Sequence, residues 1–485
     1  MGDTLVGSHF DRSNRFELTA WLLMAVTVVL IALVIWRGDQ VGLRVVTIAP
    51  APEAAGISPR TQLRIRFDQP LDADAMDATA VTLIPAVAGE VRTEGDTLVF
   101  APAAAFDPNT AYTVELAPAA VQSVQGRVLR EAVRWQFQTG HTSIVYSQLD
   151  AENREQLMMA AVTLPAAGEG GAVQVASPTA LTAADFGIWD FGVNPNSGQI
   201  VFSVLTEAGT SDLWTLLPGA QEPTLLFACP EAACSSVAFS PNSQLLAFSQ
   251  RNASGFGVPV VSPPRLYLLE LTTGEVAPIF ADSQQLAFDP RWSPDGAWLS
   301  YLSPDLGGVG VYHLQNGTTR FYPTTTGEAA VWHPQRNELI LSEMLTSEAY
   351  FEVHLLLIDP LTETRQDLSV LAQTGESYPV EDNSPAYSPD GAWVAFRRKE
   401  LAGPRTSLGK QLWIMAADGS DARPLTQEPD FDHGPATWSP DGRYLLYHRF
   451  PLRGPDVTIS VWAMDVASGE RWEVARPGQR PQWVP

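Results

Sequence analysis

Three copies of one turn constrain this chain more than any other feature. Pro290-Arg291-Trp292-Ser293-Pro294-Asp295-Gly296 returns as Pro385-Ala386-Tyr387-Ser388-Pro389-Asp390-Gly391 and again as Ala436-Thr437-Trp438-Ser439-Pro440-Asp441-Gly442. Proline presets φ at the first central position, aspartate tolerates the second, and glycine takes the positive φ that returns the chain. Aromatic and β-branched residues on both sides suit a pleated, half-buried surface. Degenerate copies stand at Asn194-Pro195-Asn196-Ser197-Gly198, Ser240-Pro241-Asn242-Ser243 and His333-Pro334-Gln335-Arg336, and the six turn prolines are spaced by 46, 53, 40, 55 and 51 residues. Each turn leads into an apolar strand such as Val394-Ala395-Phe396, then a second such as Leu412-Trp413-Ile414-Met415, then a short polar one. Four strands per repeat at this period make a β-propeller blade.

The chain ends on Pro481-Gln482-Trp483-Val484-Pro485, which imitates the start of the repeat and stops, while Ser143-Ile144-Val145-Tyr146-Ser147 looks like the strand that follows a turn. The C-terminal strand is therefore expected to complete the first blade, closing a ring without exposed edges. That gives seven blades, with six as the alternative. The three full Trp/Tyr-Ser-Pro-Asp-Gly copies and the strand order resemble the TolB-like propellers, a branch of the WD-repeat-like β-propellers. The resemblance covers residues 143–485 and implies a platform that binds partners, senses ligands or is appended to peptidases.

Residues 45–140 read differently. Leu63, Ile65 and Phe67, then Leu98 and Phe100, then Tyr112, Val114 and Leu116, then Val133, Trp135 and Phe137 alternate with period two, a sandwich signature. Phe67-Asp68-Gln69-Pro70-Leu71-Asp72, Leu98-Val99-Phe100-Ala101-Pro102 and the Asp107-Pro108-Asn109 approach to Tyr112 resemble the bacterial Ig-like domain of S-layer and other envelope proteins. That likeness implies a spacer or adhesion module.

Leu18 to Trp36 carries no charge and has tryptophans near its ends, which predicts an uncleaved transmembrane helix after a cytoplasmic tail at 1–17 and before a linker at 37–44. The expectation is a single-pass bacterial membrane protein with a large extracytoplasmic part. Cys229 and Cys234, the only cysteines, are close in a proline-containing loop; a disulfide there competes with two inert thiols and with half of a metal site, and would indicate an oxidising compartment.

The net charge is −24, and residues 1–44 hold equal numbers of acids and arginines, so the acidity belongs to the folded part. Such a surface repels phosphate backbones and excludes nucleic acid as a partner, leaving an envelope protein, a basic peptide or a cell-wall glycan. Function in compact folds concentrates in long loops, here those between blades. Asp282, Asp289, Glu328, Glu381, Asp382, Asp430, Asp432 and His433 enter the inner strands there and form the candidate ligand site, a negative funnel with room for a divalent cation though none is required. Arg397, Arg398, Lys399, Arg405 and Lys410 form a basic loop nearby; each set also reads as a solvated surface. No Gly-x-Ser-x-Gly elbow, His-Glu-x-x-His pair or phosphate-binding glycine loop occurs, so no catalytic residue is assigned. The preferred function is membrane-anchored binding or scaffolding, against an envelope hydrolase or lyase using channel carboxylates.

Overall fold

The computed structural model describes residues 20–29, 32 and 42–484, apart from 58, 60, 74, 76–78, 104–105, 108–109, 119, 141, 165–172, 219, 221, 255–259, 283, 347–348, 373–377 and 456. The protein is all-β and divides into two compact units, the larger taking in Gln138–Pro485.

In the smaller unit, Val45–Ala49, Leu63–Phe67, Thr97–Pro102 and Gly89–Glu94 form one sheet in that order, and Val133–Thr139, Ala111–Leu116 and Val81–Ile84 neighbour one another in a second. Alternation sends Leu63, Ile65 and Phe67 inward and leaves Arg64 and Arg66 outside. Tyr112 and Phe137 stack at 5.7 Å in its core.

The larger unit is a series of antiparallel meanders, the blades of a β-propeller. Their inner strands are Ile188–Val193, Ala232–Phe239, Phe288–Trp292, Val331–Trp332, Val380–Tyr387, and Phe431–His433 together with Thr437–Trp438. The final strand, Gln479–Val484, pairs with Ser143–Leu149, bringing Gln482 opposite Val145 and Trp483 opposite Ile144. The last strand of the chain thus serves as the inner strand of the first meander.

The repeated turn has a common chemistry. Ser293 Oγ donates to Asp295 Oδ1 at 2.6 Å and accepts from the Trp298 N–H at 2.9 Å, while Asp295 also accepts from the Ala297 N–H. Ser388 with Asp390 and Ser439 with Asp441 repeat it, and Ser240 with Asn242 does so without the charge. His333 substitutes an imidazole: Nδ1 accepts from the N–H groups of Gln335 and Arg336. Gly296, Gly391 and Gly442 hold φ of 70°, 73° and 73°, where a Cβ would be strained. The signature tryptophan is a fastener between blades. The indole of Trp292 donates to the Ala238 carbonyl, Trp332 to Arg291, Trp438 to Ala386 and Trp483 to Thr437, each reaching back to the preceding inner strand.

Cys229 and Cys234 form a disulfide, with the Cys229 N–H donating to Asp212. The expected membrane anchor is corrected. Among the described residues no helix is long and apolar enough to cross a membrane. Residues 20–29 are helical; apart from Ala32, the rest of 18–36 lies outside the described residues. The single-pass membrane localisation built on that span falls with it.

Candidate functional site

The site begins with a bulge in the inner strands. Pairing slips between Ser235 and Ala238, Phe288 and Arg291, Asn383 and Ala386, and Gln479 and Gln482. In each slip one residue other than glycine takes a left-handed conformation: Ser236 at φ 54°, Asp289 at 52°, Ser384 at 50° and Arg480 at 49°. Such conformations cost roughly 1–3 kcal/mol each and persist only where the surroundings hold them. At Ser236 and Ser384 the holding group is a carboxylate of the preceding blade. Asp190 accepts from the Ser236 N–H at 2.9 Å, and Glu328 accepts from both the N–H and the hydroxyl of Ser384 at 3.0 Å and from Ser342 at 2.8 Å. Glu328, expected to face a ligand, anchors its neighbour instead.

A cavity of about 560 Å³ opens against three of these bulges, those at Ser236, Asp289 and Arg480, with Trp189, Asp190, Phe288, Asp289, Arg291 and Arg480 in its wall. Its charges are paired in advance. Arg291 meets Asp289 at 2.7 Å, and Arg480 meets Glu155 at 2.7 Å and Asp190 at 3.8 Å. Trp189 keeps 42% of its surface exposed. Asp190 is enclosed by protein on most sides while a third of its side chain faces the opening. Burial pushes its carboxyl above the usual range, against the charge of Arg480.

The other expected residues lie elsewhere and are committed. Asp282 is exposed and accepts from the Gln284 N–H. Glu381 faces Lys410 at 3.8 Å. Asp382, fully buried, holds Arg398 through two bonds of 2.7 and 2.6 Å. Asp432 accepts from Arg397 at 2.7 Å and from the Lys410 N–H at 2.8 Å, and Asp430 meets Arg453 at 3.4 Å. His433 is buried between the Lys410 carbonyl and Glu428, 3.0 Å from the latter. Asp289, Glu381, Asp382, Asp430 and Asp432 thus each face an arginine or lysine, and Arg397, Arg398 and Lys410 of the basic loop supply three of these partners. Among the described residues no group of three or more His, Cys, Asp or Glu is placed to hold a metal ion.

Sequence reasoning missed Arg480, Arg291 and Trp189, and it missed Glu428. This glutamate accepts from His433, Arg449 and Arg471, while Arg449 lies 4.1 Å from the centre of the Phe431 ring and 4.0 Å from that of Trp462. Burial works to raise the Glu428 carboxyl, but the His433 bond and the two guanidinium charges outweigh it and hold it at about 2. A depressed folded-state pKa stabilises above the unfolded value, near 4.5, and the stabilisation disappears as pH falls toward 2. Glu428→Gln is therefore expected to cost on the order of 2–3 kcal/mol at pH 7, with the gap from the parent closing between pH 4.5 and 2. Urea melts at pH 7, 4 and 3 measure it, and a gap independent of pH would refute the assignment.

Residues 39–139 match the bacterial Ig-like domain. Over 195 residues the chain is 25% identical to the uncharacterized peptidase YuxL of Bacillus subtilis (strain 168), covering 38% of this chain and 24% of that protein. The chain thus spans about a quarter of that relative's length. Among solved structures, a puromycin-hydrolyzing peptidase of Mycobacterium tuberculosis is similar at 15% identity and a TM-score of 0.49, over 72% of this chain and 53% of that one. TolB from Acinetobacter baumannii is similar at 13% identity and a TM-score of 0.41, over 86% and 88%. At these values the likeness carries no functional argument.

Proposed function

We propose that the larger unit is a seven-bladed propeller that binds a polypeptide segment in the cavity beside Trp189 and Arg480, and that the Ig-like domain is its spacer. The pre-paired charges carry this reading. A wall of alternating Asp190, Arg480, Asp289 and Arg291 suits a ligand with charges of both signs and backbone donors and acceptors. An uncharged glycan would bury those groups without partners of matching strength. An exposed indole at such a site supplies apolar area at small entropic cost, as aromatic hot spots do. The count of seven follows from reading the strand formed by Gln479–Val484 as part of the first meander.

The enzyme reading keeps one supporting observation, the raised pKa of Asp190 in a cavity shared with Asp289, whose charge contributes to that rise. The two readings separate in one experiment. The full chain is incubated with a mixed-sequence hexapeptide pool and, separately, with chitin oligosaccharides, and bound and cleaved species are followed by mass spectrometry. Intact peptides are expected to be retained, with Trp189→Ala reducing retention roughly tenfold. Peptide or glycan cleavage that disappears in Asp190→Asn would replace binding by hydrolysis, and retention of the oligosaccharides alone would overturn the peptide assignment.

A further inference from the structure

A second cavity, of about 220 Å³, lies away from the central one, between the loop that follows Glu400 and the connection Thr426–Pro429. Glu400 lines it from the end of the strand Trp393–Glu400, and its side chain is only 5% exposed. One carboxylate oxygen, Oε1, accepts from Arg405 Nε at 2.8 Å, whereas Oε2 has no hydrogen-bond donor among the described residues. A buried carboxylate oxygen left without a donor is expensive, and it persists where a donor is meant to arrive.

Arg405 shows what kind of donor fits. Its guanidinium lies 5.1 Å from the centre of the Trp413 ring while its Nε bonds Glu400, and the side chain remains 48% exposed. The neighbouring Arg398 is committed to Asp382 by two bonds and is itself buried, so it does not compete for Glu400. Pro404, Pro424 and Pro429 share the wall with polar residues, of which Ser407, Gln411 and Thr426 are already hydrogen-bonded within the chain. The volume falls below the roughly 300–1,000 Å³ of drug-sized sites and matches one extended side chain.

We infer that this cavity is a pocket for an arginine side chain of a partner polypeptide, with Glu400 and Trp413 as its recognition pair and Arg405 as an exposed occupant in cis that the partner displaces. A guanidinium presents several donors in one plane, enough to serve both oxygens of Glu400, which Arg405 through Nε does not. The aromatic face adds cation–π attraction. The net charge of −24 draws cationic segments toward the surface.

The test uses the full chain and two probes of the same shape, N-acetyl-arginine amide and N-acetyl-citrulline amide, titrated by ligand-observed NMR. Saturable binding of the arginine probe and none of citrulline is expected. Arg405→Ala, which removes the occupant, is expected to bind roughly tenfold more tightly, because the competent fraction of sites rises. Glu400→Gln is expected to lose roughly tenfold or more. Trp189→Ala, in the central cavity, leaves this binding unchanged; a loss there would assign the probe to the central cavity and overturn the proposal. So would equal binding of the two probes, or no saturable binding to either the parent or Arg405→Ala. Should Glu400→Gln fail to fold, the Arg405→Ala gain, judged against citrulline, decides by itself.

Discussion

A chain lacking Arg480–Pro485 is expected to lose the cooperative thermal transition of the propeller. Six residues are a small deletion, but they make most of the inner strand of the first meander. Trp483 is 6% exposed and packs with Ile144, Tyr146, Tyr444, Leu446 and Val461, residues contributed by the first and last meanders. Emptying a buried tryptophan site costs about 3–5 kcal/mol. The deletion also removes the Trp483 bond to Thr437, the Gln482 contacts to Val193 and Phe191, and the Arg480 pair with Glu155. Together these approach the roughly 5–15 kcal/mol that holds a typical domain folded. The strand Ser143–Leu149 would then present an unpaired edge, so the truncated chain is expected to associate as well as melt early. Trp483→Ala alone should show an intermediate loss of about 3–5 kcal/mol. Scanning calorimetry with light scattering checks both, and an unchanged melting temperature after truncation would refute the closure.

Closure was legible because Pro481-Gln482-Trp483 copies the approach to the repeated turn, and the copying extends to physics: Trp483 makes the same backward indole bond as Trp292, Trp332 and Trp438. The serine and aspartate of the turn were legible for the same local reason, their partners being two to five residues away. What the acids do was not legible. Glu328 is bound by Ser384, 56 residues on, and Asp190 by Ser236, 46 residues on, through bulges whose left-handed residues carry no compositional mark. Asp382, Asp432 and Glu381 read as one solvated patch and the stretch from Arg397 to Lys410 as another; folding pairs the two. Asp382 meets Arg398, Asp432 meets Arg397, Glu381 meets Lys410, and Glu400 meets Arg405. Strand register settles the first of these, since Asp382 stands directly opposite Arg398. The apolar run at 18–36 misled in the other direction: it predicts a spanning helix, whereas among the described residues no helix is long and apolar enough to cross a membrane.

That first pair gives the second large effect. Removing either partner alone is expected to cost about 3–5 kcal/mol, because each leaves the other charge buried and uncompensated. Asp382 is 0% exposed and Arg398 3% exposed, so water does not reach the survivor without local opening. Asp382→Ala strands a guanidinium that lies 5.2 Å from the centre of the Phe396 ring and 4.8 Å from that of Trp413; the rings attract it but cannot accept its hydrogen bonds. Arg398→Met strands a fully buried carboxylate without its two guanidinium donors. The double variant Asp382→Leu with Arg398→Met removes both charges while keeping most of the volume, and replacement of whole buried pairs by packed apolar residues is often neutral. Its cost should therefore fall well below the sum of the single changes, giving a coupling of about 3 kcal/mol or more in a double-mutant cycle read by urea unfolding. Additive losses would mean that the pair is solvated in solution. The same outcome would weaken the arginine pocket, since Arg398 would then be free to compete for Glu400, and the oxygen left open to a partner's guanidinium would be claimed from within the chain.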